Sequence, residues 1–474
     1  AEIPFGMPDE PLPSKEALGF RVPLYGFDRW GKLFTPRQLV AVGMFVGQIA
    51  ALYRENTRLG FAVELAEALS MYSACMTDRL ANQSSNIAHW NMGGEKIEGT
   101  FARFALPILW DFAEVNPLSE ASGGFPSASE WVALVVEHLI NVGGFSAPAY
   151  AINRSAIQAF SSDADIIVTD PPYYDAIPYS DLMDFFYIWL RRSVHGLSPE
   201  FDSTFRGPLS PKWDQAANDG ELIDDASRHG GDAQQSKAAY EDGMARAFQA
   251  CHTSLAQDGR LVVVFAHKKP DAWETLASAI IRAGFVVDGS WPIQTERVAR
   301  TRSLSSAALS SSVWLVCKKR TSMAKPGWDN QVLEEMRRNI REKLREFWDA
   351  GIRGPDFVWA ATGPALEAYS KHPGVKKAND PGQVLTVTEF LTQVRRMVVD
   401  FVVGRVMYGE DDAETRRRGD RGTGGHEGGE TRGRGDAGTV TVSPGHRVAA
   451  SQAESPIGDL DEPTAYYLLH RHDF

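Results

Sequence analysis

The sequence predicts an α/β protein with a doubly wound, mostly parallel sheet and helical additions at both ends. Three observations lead there. Ile166, Ile167 and Val168 form a continuous run rich in β-branched residues. Such a run reads as a strand buried on both faces, in the middle of a parallel sheet. Leu261 to Phe265 is a second buried strand, between helical patterns over about Lys237–Leu255 and Ala272–Ala283. Phe285–Ile293 and Ser311–Cys317 then read as an antiparallel pair at the sheet edge.

The first strand stops at Asp170, because Pro171 and Pro172 cannot donate to a ladder. Tyr173 and Tyr174 follow at its carboxyl end, where open α/β sheets place ligands. After Pro178 a helix is expected, with Ser180 as N-cap and Asp181 and Asp184 in its first turn. Its packing face is Leu182, Phe185, Phe186 and Trp189.

Upstream, residues 1–26 are rich in proline and glycine and read as an extended lead-in. Thr35 caps a helix with Pro36 at its first position, and Leu39, Val42, Phe45, Val46, Ile49 and Leu52 follow at helical spacing. A second core helix is expected over Phe61–Leu80, apolar along Val63, Leu65, Ala68, Leu69, Tyr72 and Cys75. Phe104, Leu106, Leu109 and Phe112 suggest a helix broken near Pro107, and Ser129–Asn141 another. Ala149–Ile152 reads as a short strand with Asn153, Arg154 and Ser155 at its end. Phe201–Ser236 reads as a mobile loop closing over a substrate, or as an insertion. Past Trp328, a helix with Leu333, Met336, Ile340, Leu344 and Phe347 on one stripe is followed by two more helical segments. The arginine- and glycine-rich stretch that follows has almost no apolar residues and should be disordered.

Composition narrows the function classes. With 474 residues, 43% hydrophobic, the chain can build two or three cores. A net charge of −12 excludes a protein coated in basic surface, so any nucleic-acid contact is local. Cys75, Cys251 and Cys317 are far apart and form no CxxC, so no metal site or disulfide framework is indicated. They read as reduced core thiols of a cytoplasmic protein. No apolar run is long enough to cross a bilayer. No GxxxxGK[ST] is present, which argues against a P-loop ATPase. The chain starts at Ala1, which fits either removal of a methionine or a piece of a longer protein.

Asp170-Pro171-Pro172-Tyr173 has a chemical reading. Methylating an exocyclic amine needs acceptors on its two N–H bonds, so that the nitrogen lone pair points at an electrophile. The Asp170 carboxylate and the Pro171 carbonyl supply two acceptors, and consecutive prolines hold them preorganised. Tyr173 offers a flat face for an extruded base, and Tyr174 and Tyr179 wedge or stack beside it. Arg297, Arg300 and Arg302 on the loop before the last strand, with Arg191 and Arg192, are the phosphate-contact candidates.

This motif resembles motif IV of the S-adenosylmethionine-dependent amino-methyltransferases of DNA. Together with LVVVFAHK, WPIQTE, LFTPRQL and WDFAEVNP, it makes the chain similar to a family of large prokaryotic adenine-specific DNA methylases. These carry an N-terminal domain of unknown function, often a zinc ribbon, and often sit beside phage-defence genes. The likeness spans about Leu18 to Val375, and DEPTAYYLLHRHDF echoes the family's terminal strand. It implies a sheet of the methyltransferase type and methyl transfer from S-adenosylmethionine to the amine of a flipped adenine in double-stranded DNA, in restriction-modification or phage defence. Asp170, Pro171, Pro172 and Tyr173 are then the base-holding residues, and Asn153 and Ser155 approach the cofactor's adenine.

The family's glycine-rich cofactor loop has no counterpart here, since EASGGF and NVGGF lack the preceding strand and acid. The expected sheet is therefore incomplete, and a second polypeptide or an upstream half of the same enzyme carries that loop. The expected organisation is a helical region over 1–100, the catalytic part over 101–322 and a helical region over 323–408. A disordered linker over 409–455 and a tail over 456–474 complete it. Action on cytosine or RNA, and a DNA-binding module without catalysis, are the alternative readings.

Overall fold

The computed structural model describes residues 3–17, 19–101, 105–143, 147, 149–160, 163–175, 177–267, 269–294, 311–352 and 354–419. In chain order the helices are α1 (Pro36–Arg58), α2 (Val63–Gln83), α3 (Phe125–Gly143), α4 (Tyr179–Val194), α5 (Pro199–Thr204) and α6 (Ala233–Ser254). They continue with α7 (Pro270–Arg282), α8 (Asp329–Asp349), α9 (Gly354–Ala360), α10 (Thr362–Ser370) and α11 (Val387–Gly419). The strands are β1 (His89–Asn91), β2 (Lys96–Gly99), β3 (Ala164–Thr169), β4 (Leu255–Phe265), β5 (Phe285–Gln294), β6 (Ser311–Lys319), β7 (Gly327–Trp328) and β8 (Val375–Lys376). The chain forms two compact units, one of residues 1–162 with 171–254, the other of 163–170 with 255–474.

The first unit is mainly helical. Thr35 caps α1 in a full capping box, its hydroxyl accepting from the Gln38 amide while the Gln38 side chain accepts from the Thr35 amide. The core gathers Trp30, Phe34, Val42, Phe185, Ile188 and Trp189. Phe34 stacks on Phe185 at 5.5 Å and meets Trp189 edge-on at 5.5 Å. The expected lead-in is not extended: Phe20 and Val22 are buried in this core, and Glu10 pairs with the buried Arg192 at 2.9 Å. In α2 the packed face is Ala66, Ser70, Ala74, Thr77, Asp78 and Ala81. The expected apolar stripe through Val63, Leu65, Tyr72 and Cys75 is exposed. Small side chains let helices approach closely, and here that outweighs hydropathy.

Downstream the segment between β2 and α3 forms no helix among its described residues, and α3 starts earlier than expected, at Phe125. Its Leu134, Val135 and Leu139 are exposed, as is Trp131, over whose ring the Arg79 guanidinium lies at 4.9 Å. Ala149–Ile152 is not a strand.

The second unit holds a four-stranded sheet in the order β3-β4-β6-β5. β3 pairs parallel with β4, while β4 with β6 and β6 with β5 pair antiparallel. The class is α/β, as expected, but the sheet is mixed rather than mostly parallel. β5 and β6 form the predicted antiparallel pair. β3 is not a central strand: it has one neighbour among the described residues, and Ile166 and Val168 are 65% and 60% exposed. A run of β-branched residues announces two apolar faces, but covering both requires elements that the described residues do not supply.

Leu261, Val263, Phe265, Phe285 and Val287 are buried in the second unit. Of the expected α8 stripe, Met336, Ile340 and Leu344 are buried, joined by Val332, while Leu333 and Phe347 are only half-buried. α11 runs to Gly419, past Tyr408 and into the stretch expected to be a linker. Residues 420–474, including the expected tail, lie outside the described residues. No helix among the described residues is long and apolar enough to cross a membrane.

Candidate base-holding turn and its support

β3 ends at Thr169, and Asp170 follows exposed at its carboxyl end. Pro171, Pro172 and Tyr173 are half-buried, and Tyr174 is buried. The turn is tight: the Tyr174 amide donates to the Pro172 carbonyl at 3.0 Å. Tyr174 has φ +56°, a left-handed conformation that bulky residues rarely adopt.

Four contacts hold it there. The Tyr240 hydroxyl on α6 donates to the Pro172 carbonyl at 2.8 Å and accepts from the Tyr174 amide at 3.2 Å. The Tyr240 ring meets the Tyr174 ring edge-on at 5.2 Å. The Asp224 amide donates to the Tyr174 carbonyl at 3.2 Å. Tyr174 is therefore an internal anchor of the turn; buried against Tyr240, it has no open face for a base. Tyr179, the first residue of α4, is exposed.

The helix after the motif starts as expected but is capped differently. Pro178 occupies the N-cap without a side-chain bond, and the Ser180 hydroxyl donates to Glu221 at 2.5 Å. Asp181 and Asp184 are buried in an ionic network with Lys212 and Arg228. Lys212 Nζ lies 2.8 Å from Asp184 Oδ2 and 3.1 Å from Asp181 Oδ1. Arg228 Nη2 lies 2.9 Å from Asp181 Oδ2 and 2.6 Å from Glu221 Oε2. Ser210 donates from its amide and its hydroxyl to Asp184 Oδ1, at 2.8 and 2.6 Å. Burial raises the Asp184 pKa, against the opposing pull of Lys212.

The stretch expected to be a mobile loop is thus pinned to α4 by buried charges. It also holds α5 and a 3-10 turn over Ala226–His229. Its polar sequence signals loop, but its charges sit where they pair with the start of α4.

Several expected site residues are elsewhere. Arg192 is buried, pairs with Glu10 and donates to the carbonyls of Gly6 and Ile188, each at 2.8 Å. Arg191 donates to the Phe205 carbonyl at 3.2 Å and lies 3.6 Å over the Phe5 ring. Neither is offered to phosphate. Arg297, Arg300 and Arg302 lie outside the described residues. Asn153 is exposed with no strand before it, and the Ser155 hydroxyl donates to Asp219 at 2.8 Å. No cluster of three or more potential metal ligands occurs among the described residues. Cys75 is exposed, not a core thiol, whereas Cys317 is buried.

Sequence reading passed over Lys212, Glu221, Arg228 and Tyr240. Ser236 and Tyr240 stand four residues apart and so share one face of α6, but nothing in the sequence marks that face. In comparison with known proteins, the chain matches no family model, no curated protein and no solved structure.

Proposed function

We propose that this chain supplies the base-holding part of an adenine-specific DNA amino-methyltransferase. The observation that carries this reading is the position of Asp170-Pro171-Pro172-Tyr173 directly after a parallel strand, at its carboxyl end, in a turn fixed from behind by Tyr240. The Asp170 carboxylate and the Pro171 carbonyl accept from the two N–H bonds of the adenine amine, and Tyr173 stacks on the ring. The amine lone pair is then held toward an incoming methyl group. S-adenosylmethionine would provide that methyl as an electrophile. That EASGGF and NVGGF lack the strand and acid of a glycine-rich cofactor loop supports a cofactor pocket built by another polypeptide or an upstream half. Among the described residues one edge of β3 has no strand beside it, which supports the same expectation, since a further parallel strand has backbone groups there to pair with. Double-stranded DNA is the proposed substrate, in restriction-modification or phage defence.

The test is co-expression of this chain with the polypeptide encoded immediately upstream, with N6-methyladenine in the host DNA read by sequencing. Methylation should appear with the wild-type chain and be lost with Asp170→Ala, whose folded yield should be unchanged. Methylation that persists in Asp170→Ala would remove the assigned role. The second reading, a DNA-binding module without catalysis, draws on the same lack of a glycine-rich cofactor loop. It predicts DNA binding and no methylation in either case.

A further inference from the structure

We infer that Tyr240 is a positioning residue that sets the shape of the base-holding turn, through a hydroxyl shared between Pro172 and Tyr174. This deepens the reading above and rests on it for the ligand. Tyr240 is buried on α6, and both hydrogen-bond partners of its hydroxyl lie in the turn: the Pro172 carbonyl at 2.8 Å and the Tyr174 amide at 3.2 Å. A buried phenol needs such partners, and here the same oxygen fixes a carbonyl and an amide two residues apart.

Tyr174 sits at φ +56°, so the turn adopts a shape that its own sequence does not favour. One helical turn before Tyr240, the buried Ser236 donates to Asp224 Oδ1 at 2.6 Å, and the Asp224 amide donates to the Tyr174 carbonyl at 3.2 Å. One face of α6 thus grips the turn twice, directly through Tyr240 and indirectly through Ser236 and Asp224. Such a hold preorganises the carbonyls beside the base instead of leaving them to be ordered on binding.

The test uses the full chain and two single-stranded probes. One is a thymidine oligomer with a single central adenosine; the other carries N6,N6-dimethyladenosine there and so has no N–H to grip. Wild type should bind the adenosine oligomer about tenfold more tightly, as for one or two lost hydrogen bonds. Tyr240→Phe should reduce that preference to within about twofold while leaving affinity for the dimethyl oligomer unchanged, a split that a merely structural role would not produce. Hydrogen exchange of the Tyr174 amide should rise about tenfold or more, with α4 still protected. If Tyr240→Phe fails to fold, Ser236→Ala, which cuts only the indirect hold, should give a smaller change in the same direction. Unchanged exchange at Tyr174 overturns the clamp whatever the oligomers do. Absence of any wild-type preference overturns the amine grip, and the exchange result then still decides the clamp.

Discussion

Arg228 reaches Asp181 at 2.9 Å across 47 residues of chain, and both side chains are about nine-tenths buried. The same guanidinium nitrogen holds Glu221, so one cation ties two buried carboxylates. The contact links the long polar stretch before α6 to the first turn of α4, immediately after the candidate motif.

Arg228→Ala should therefore destabilise the first unit by roughly 3–5 kcal/mol, because Asp181 and Glu221 would be left buried with one partner fewer. Urea denaturation should show a lower midpoint. Limited proteolysis should cut within residues 205–232 faster than in wild type. Equal midpoints for variant and wild type would mean that the network is solvated and energetically neutral.

Asp78 predicts a pH dependence. Burial holds its carboxyl well above the ordinary aspartate range, and its Oδ1 has no hydrogen-bond partner among the described residues. The unfolded chain releases this proton near the ordinary value, while the folded chain keeps it to higher pH. Between the two values the folded state binds the extra proton, so stability falls as pH rises, by at most about 1.4 kcal/mol per pH unit. Asp184, also raised by burial, adds to the same slope. Asp78→Asn should flatten the slope above pH 4 and be more stable than wild type at pH 7. Chemical denaturation at pH 4, 5.5 and 7 would measure both effects.

The outer face of β3 gives a third expectation. Ile166 and Val168 are exposed, while Ile167 between them is buried. Ile166→Lys with Val168→Lys should leave the unfolding free energy within about 0.5 kcal/mol, as for surface positions, and reduce self-association in sedimentation velocity. Ile167→Ala should cost roughly 2–4 kcal/mol by opening a cavity.

Much of the fold was legible where the signals are local. Thr35 and Pro36 place the start of α1, Gly284 the stop after α7, and the apolar runs of β4, β5 and β6 their strands. The middle of the α8 stripe, Met336, Ile340 and Leu344, follows from its period alone. What failed was partnership. The composition of β3 says that both faces are apolar, not that both are covered. Arg191 and Arg192 look like free cations after α4, yet Phe5 and Glu10, nearly the whole first unit away in sequence, claim them. At the candidate site the tetrapeptide was plain in the sequence, whereas the tyrosine behind it stood in a polar helix with nothing to mark its hydroxyl as special.

α3 carries apolar residues around most of its circumference, and Trp131, Leu134, Leu139 and Ile140 face outward. A ribosome making this chain alone would release a greasy cylinder into a crowded compartment, where holdase chaperones bind such segments. Folded yield from a single-gene expression vector should then rise when holdase chaperones are supplied with it.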